Sequence, residues 1–436
     1  MSVSSEWYES SKADVLKALN DKKLRTALNR ATTVFSANKK DALLKLQNMP
    51  RLRKRAKEIK SWSIDHLPEL ISRVRENIEA LGGVFYLAKD AEQLNDYVSK
   101  VCLDHGAKLI VKGKSMVTEE IFLNDALTVE GFEVIETDLG ERIIQLRGEK
   151  PSHFIVPAIH IPREEVADLF SKVADKKLPP DIPALTKVAR EMLREKFTTA
   201  EVGITGANVI SADTSTIFVI ENEGNARFTS NAPPTHICIT GIEKIVPTLE
   251  DAMVITQLLP PYATGQLMAC YVSLITGPSR TADIELTTSI GMHGPKELYL
   301  VLLDNGRLNM IEDSEFKEAA HCIRCGSCLN DCPVYREIGG QTMGHRYVGG
   351  IGIILTSFFH GLEKAAPFAF ACTGCGNCKN SCPLEIDIPS MVEKIRRRLN
   401  EAGYMTPPHA RIGHNLERYN NPFGEPVEKR ITWLKK

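Results

Sequence analysis

The chain has 436 residues, of which 43% are hydrophobic and 25% charged, and its net charge is −1. That balance is globular and excludes a disordered chain, and the near-zero charge supplies no field to attract nucleic acid or an anionic membrane. At about 150 residues per domain the length predicts two or three domains.

The opening "MSVSSEWYESSKADV" is polar and lacks the apolar core of a secretory signal. Residues 1–62 read as a helical, charged segment. Within it "ALLKLQNMPRLRKRAKEIKSW" carries a run of Arg and Lys, read as a solvated helix face or else as a docking surface for an acidic partner. From residue 63 apolar runs alternate between two periods. "GGVFYLA", "AKLIVKG", "FEVIETD", "HFIVPAI", "STIFVIE", "THICITG" and "ELYLVLLD" predict strands. Helices are predicted between them, for example "DAEQLNDYVSKVCLDHG", with Asp90 as its cap and Gly106 as its stop. Strand followed by helix, repeated to residue 305, predicts an α/β domain with a mostly parallel sheet covered on both faces.

Beyond Asn305 strand signals fade. Residues 306–403 predict a helical module, with helix over "ILTSFFHGLEKAA" and another after Pro389 started by Ser390 with Glu393. Residues 404–436 read as an extended surface tail. The most apolar late run, Gly349–Phe359, has eleven residues. A helix that short does not cross a bilayer core of ~30 Å. The protein is therefore expected in the cytoplasm, with no membrane span of its own and peripheral to a membrane only through partners.

Eight of the eleven cysteines fall in two tracts. Cys322, Cys325, Cys328 and Cys332 precede Pro333, and Cys372, Cys375, Cys378 and Cys382 precede Pro383. Both read C-x2-C-x2-C-x3-C-P, the spacing that holds two [4Fe–4S] clusters, with the fourth cysteine of each tract ligating the other cluster. One cluster is then assigned to Cys322, Cys325, Cys328 and Cys382, and the second to Cys372, Cys375, Cys378 and Cys332. Structural zinc prefers separated pairs of ligands, and disulfides belong to exported chains, so both fit the tracts poorly. The neighbouring His321, His345 and His360 are read as structural, and Cys102, Cys238 and Cys270 as buried inert thiols.

The α/β domain has neither a P-loop nor a G-x-G-x-x-G opening a helix, so no nucleotide is signalled. Its polar turns "GITGANVISADTSTIF" and "ENEGNARFT" nominate Thr205, Gly206, Asp213, Thr214, Ser215, Thr216, Glu223, Asn225 and Arg227. At the carboxyl ends of parallel strands such residues form ligand crevices, although taken singly each also reads as turn or cap chemistry.

The stretches "TGANVISADTSTIFVIENEGNARFTSNAPPTHICITGIEKIVPTLEDA", "YVSLITGPSRTADIE" and "GMHGPKELYLVLLDNGR" resemble the lactate-utilisation domain family, and "CIRCGSCLNDCPVYREIGG" resembles the ferredoxin module fused behind that domain. The resemblance implies an α/β domain of the CoA-transferase/ribose-phosphate-isomerase type, followed by an all-helical ferredoxin module. It implies an iron–sulfur subunit that relays electrons in a complex oxidising L-lactate to pyruvate, rather than the subunit that oxidises the substrate. The implied partners are a cysteine-rich subunit resembling those of heterodisulfide reductases and a small lactate-utilisation subunit. Two other readings stay open. One is a relay for another anaerobic, flavin-dependent dehydrogenase. The other is a transferase-like enzyme whose clusters are structural.

Overall fold

The computed structural model describes residues 6–429. In chain order the strands are β1 Val84–Ala88, β2 Leu109–Lys112, β3 Glu133–Glu136, β4 Val202–Thr205, β5 Val209–Ser211 and β6 Ile217–Glu221. They continue with β7 Thr235–Gly241, β8 Ile245–Val246, β9 Tyr271–Ile275, β10 Arg280–Thr281, β11 Ser289–Ile290 and β12 Glu297–Leu303. The main sheet runs β1-β12-β7-β4-β2-β3 with every pairing parallel.

The alternation of side chains along each strand supplies both faces of this sheet. On β12, Leu298, Leu300 and Leu302 pack with Leu70 and Val74 of the helix Leu67–Ala80. The intervening Val301 and Leu303 pack with Leu94 and Val98 of the helix Ala91–Asp104. Burial on both sides explains why β2, β4 and β7 read as continuous apolar runs. Asp90 accepts the Gln93 N–H and so caps the helix that begins at Ala91. A smaller sheet runs β8-β5-β6-β9, and its Ile210, Ile217 and Val219 share a core with Leu298, Leu300 and Leu302 of β12.

The first three helices pack against the cysteine-rich module. The helices Glu6–Asn20, Lys22–Lys45 and Met49–Asp65 share one core with the cysteine-rich module, in which Leu28, Ala56 and Ile59 are buried together with Tyr335, Ile353, Ile388 and Ile395. The basic residues of the third helix are largely used internally. Arg53 donates to the Pro383 carbonyl at 3.1 Å and to Glu385 at 3.0 Å, Arg55 pairs with Asp251 at 2.7 Å, and buried Lys60 donates to the Glu243 carbonyl.

Several local expectations are corrected. "HFIVPAI" is not a strand. Pro157 lacks a ladder donor, and Ser152, just before the segment, is held by the C-terminal module: the Tyr335 hydroxyl donates to its carbonyl at 2.8 Å and the Gly340 N–H to its hydroxyl at 3.1 Å. The helix after Pro389 begins earlier, at Ile388, and its cap is Asp387, which accepts the Ser390 N–H. "ILTSFFHGLEKAA" breaks at Gly361 (φ +90°) into the helices Gly349–Phe359 and Leu362–Ala369. The tail is not wholly extended: Thr406 caps a helix Pro407–Tyr419. Its last residues, 430–436, lie outside the described ones. Cys102 and Cys238 are buried as expected, but Cys270 is exposed. No helix among the described residues is long and apolar enough to cross a membrane.

Candidate metal centres and the adjoining cavity

Each cysteine tract is a tight loop entering a short helix, Ser327–Asn330 in the first and Asn377–Ser381 in the second. The residue before each helix is a glycine in the left-handed region, Gly326 (φ +75°) and Gly376 (φ +82°). That conformation suits glycine and turns successive backbone N–H groups toward the loop interior. The fourth cysteine of the first tract caps the next helix, Pro333–Thr342, its sulfur accepting the Tyr335 N–H at 3.5 Å. In the second tract the Gly374 N–H points at the Cys372 sulfur, also at 3.5 Å.

The last cysteine of the second tract lies beside the first three of the first tract. Cys322, Cys325 and Cys328 line one small cavity with Cys382, closed by apolar groups that include Phe154, Ile351 and Leu384. Burial pushes the Cys325 thiol up, and Cys382 and Cys322 add to the shift. Cys382 is pushed up to about 11, by burial first, with Cys322 also raising it against backbone N–H groups that lower it. In the other set burial raises Cys332, opposed by the Tyr335 and Val334 N–H groups and reinforced by Cys372 and Cys375. Cys378 rises to about 12 through burial, Cys372 and Cys332. Four thiolates facing one cavity repel one another, and a cationic iron core makes all four tenable together. No group of three or more His, Cys, Asp or Glu among the described residues gathers closely enough for a single metal ion. Sulfurs spread around a cavity suit the corners of a cube. The donor set therefore fits two [4Fe–4S] clusters.

One carboxylate, missed in the sequence, knits the tracts together. Asp331 pairs with Lys39 at 2.5 Å, accepts the Ser36 hydroxyl at 2.6 Å and accepts the Ser381 hydroxyl of the second tract. The two thiol sets differ in exposure: Cys325 and Cys382 are each 8% exposed, whereas Cys375 is on the surface. His345 and His360 stack edge to face with each other, and His321 is buried, its imidazole pushed down to about 4 by that burial.

A second cavity, of about 390 Å³, lies at the carboxyl ends of β2, β3, β4 and β7. Lys114 and Ser115 follow β2, Asp138 follows β3, Asn208 follows β4, and Glu243 with Lys244 follow β7. Arg324 and Tyr347 of the C-terminal module also line it, and Phe154 belongs to both this cavity and the first thiol cavity. Beneath it Arg307 is fully buried, 2.7 Å from Glu120 and 2.6 Å from Glu243, and Arg324 reaches Glu243 at 3.1 Å. Burial opposes ionisation of Glu243, but the Arg307 and Arg324 guanidiniums hold its carboxyl down at about 2. Burial pushes Lys244 down to about 8, with Arg324 adding to the shift. Burial raises Glu223 to about 7, with Asp138 adding.

Of the residues nominated from sequence, Gly206, Glu223 and Asn225 line this cavity. Thr205 is buried behind it, its hydroxyl 2.8 Å from His236. Asp213, Thr214, Ser215 and Thr216 form the turn between β5 and β6 of the small sheet. There Asp213 accepts the Leu249 N–H, the Ser215 hydroxyl donates to the Val74 carbonyl, and Thr214 and Thr216 share a hydroxyl bond of 2.8 Å. Arg227 lies over the Tyr271 ring instead. Lys114, Lys244 and Arg324 were missed, because isolated basic residues between strands carry no spacing signal.

Comparison with known proteins adds the following. Residues 71–303 match the LUD domain family and residues 318–386 match a 4Fe-4S dicluster domain, which implies two [4Fe–4S] clusters. Lactate utilization protein B of Shouchella clausii is 39% identical over 388 residues, covering 89% of this chain and 80% of that protein. Lactate utilization protein B of Bacillus subtilis is 36% identical over 391 residues, with the same two coverages, 89% and 80%. A solved DUF162 family protein from Deinococcus radiodurans overlaps 54% of this chain and 98% of its own, at 14% identity and a TM-score of 0.31, too low to argue from.

Proposed function

The chain belongs to the lactate utilization protein B family, and from that premise we propose that it is the iron–sulfur electron-transfer subunit of a complex that oxidises L-lactate to pyruvate. The observation that carries the reading is the unequal exposure of two thiol sets in one continuous core, Cys325 and Cys382 being buried and Cys375 open to the surface. A relay needs one end sheltered and one end within reach of a partner. When bound, each [4Fe–4S] cluster supplies one-electron redox capacity, and two together match the electron pair that a 2-hydroxy acid releases on becoming a 2-oxo acid.

The chain's own residues set the conditions. Backbone N–H groups of Tyr335 and Gly374 point at Cys332 and Cys372 and stabilise negative charge on sulfur. Arg53 donates to the Cys382 and Pro383 carbonyls and fixes the crossing cysteine from outside. Phe154, Ile351 and Leu384 exclude water from the first set. The surface around Cys375 is where a partner docks: a cysteine-rich subunit of the heterodisulfide-reductase type, together with a small lactate-utilisation subunit.

The test is anaerobic reconstitution. L-lactate should bleach the cluster absorbance only when both partners are present. Bleaching that instead requires a flavin-dependent dehydrogenase would reassign the relay to another complex. Acyl-transfer turnover that survives loss of the clusters would assign a transferase.

A further inference from the structure

Two lysines face the cavity at the strand ends, and the fold leaves both without partners. The Lys114 ammonium is shut off from solvent and finds no hydrogen-bond acceptor. Lys244 is 7% exposed, lines the same cavity, and finds no side-chain hydrogen bond or ion pair among the described residues. A buried ammonium without a partner is costly. Glu141 near Lys114 is buried, with an unpartnered oxygen, and burial pushes its carboxyl well up; the four carboxylates that line the cavity are already hydrogen-bonded. Glu243 is held by Arg307 and Arg324, and Glu221 accepts the Ala226 and Arg227 N–H groups. Asp138 accepts the Glu141 N–H and Glu223 the Leu139 N–H. The unmet requirement in this cavity is therefore for a hydrogen-bond acceptor that reaches the ammonium groups.

We propose that the cavity is a binding site for a small organic monocarboxylate, its carboxylate held between the ammonium groups of Lys114 and Lys244. A single charge is favoured because Asp138 and Glu223 line the same cavity and oppose a dianion. The free amide nitrogen of Asn208, whose oxygen already accepts the Ile220 N–H, is available to a hydroxyl or oxo group. Phe154 and Val219 offer apolar surface to a short carbon chain. A volume of about 390 Å³ is ample for an acid of a few carbons. The site does not depend on the relay: binding to the isolated chain tests it, bleaching with partners tests the relay, and either can fail alone.

The experiment is equilibrium dialysis of the anaerobic, cluster-loaded full chain against radiolabelled acetate, L-lactate and pyruvate, with inorganic phosphate as competitor. Saturable binding of at least one acid, one per chain and resistant to phosphate, is expected. Lys114→Met and Lys244→Met should each weaken it by about ten- to a hundredfold. Lys244→Arg should hold it within a few fold, and Lys187→Met, on the surface, should leave it unchanged. Asn208→Asp keeps the acceptor for Ile220 and adds negative charge to the cavity, so it should weaken binding even if a lysine variant misfolds. No saturable binding, binding indifferent to Lys114, Lys244 and Asn208, or preferential capture of phosphate would each overturn the proposal.

Discussion

Arg307 and Glu120 meet at 2.7 Å with neither side chain exposed to solvent. The same guanidinium contacts Glu243 at 2.6 Å, and the Tyr347 hydroxyl donates to Glu120 at 2.7 Å. Through Arg324 the network reaches the first cysteine loop, so one buried cation ties the α/β sheet to the cluster module. Arg307→Met should destabilise the protein by about 3–5 kcal/mol, because it leaves buried Glu120 without its cationic partner and Glu243 with Arg324 alone. Anaerobic urea unfolding checks this, and Arg307→Lys should fall between the variant and the wild type.

Gly203 on β4 lies directly under the helix Asn225–Asn231, where an added methyl would collide with the Thr229 carbonyl. Gly203→Ala should cost about 1–3 kcal/mol. Gly413, inside the helix Pro407–Tyr419, has open space around it, so Gly413→Ala should be neutral or stabilise by up to about 1 kcal/mol. Urea midpoints of the two variants provide the comparison.

His236 on β7 is fully buried, and that burial pushes its imidazole down to about 3. The folded chain keeps it neutral, while the unfolded chain protonates it below about pH 6.5. Its contribution to stability is therefore present above pH 6.5 and is lost as pH falls from there toward 3. Between pH 7 and 5 the loss should be about 2 kcal/mol. His236→Asn should flatten the pH dependence of the urea midpoint, and parallel pH profiles for variant and wild type would contradict this.

The second thiol set is the more accessible, since Cys375 is exposed while Cys325 and Cys382 are covered. An iron chelator or ferricyanide should then release iron in two phases, about half of it quickly. Stopped samples examined by absorbance and electron paramagnetic resonance should show the signal assigned to the second tract vanishing first.

Much of this architecture is legible in the sequence wherever one physical signal decides the outcome. β7 and β12 are long apolar runs because both faces are buried, and Asp90 caps as its position implies. The thiol spacing is local, so the loops follow from it. Tertiary partners defeat the rest. "HFIVPAI" has strand composition, yet Ser152 just before it is held by Tyr335 and Gly340, far along the chain. Arg53 and Lys60 read as solvated and instead bond inward. The cavity is half legible. Glycine and carboxylate turns announced Gly206, Glu223 and Asn225, but nothing local to Lys114, Lys244 or Arg324 shows that they converge.

The account rests on two iron cubes that exchange ligands between the tracts. The most direct measurement is electron paramagnetic resonance of the reduced protein, with iron and acid-labile sulfide counts, for the serine variants of the two crossing cysteines. Cys382→Ser should reproduce the spectrum of Cys325→Ser, and Cys332→Ser that of Cys375→Ser. If Cys382→Ser instead matches Cys375→Ser, or if the wild-type protein holds zinc without sulfide, the account is contradicted.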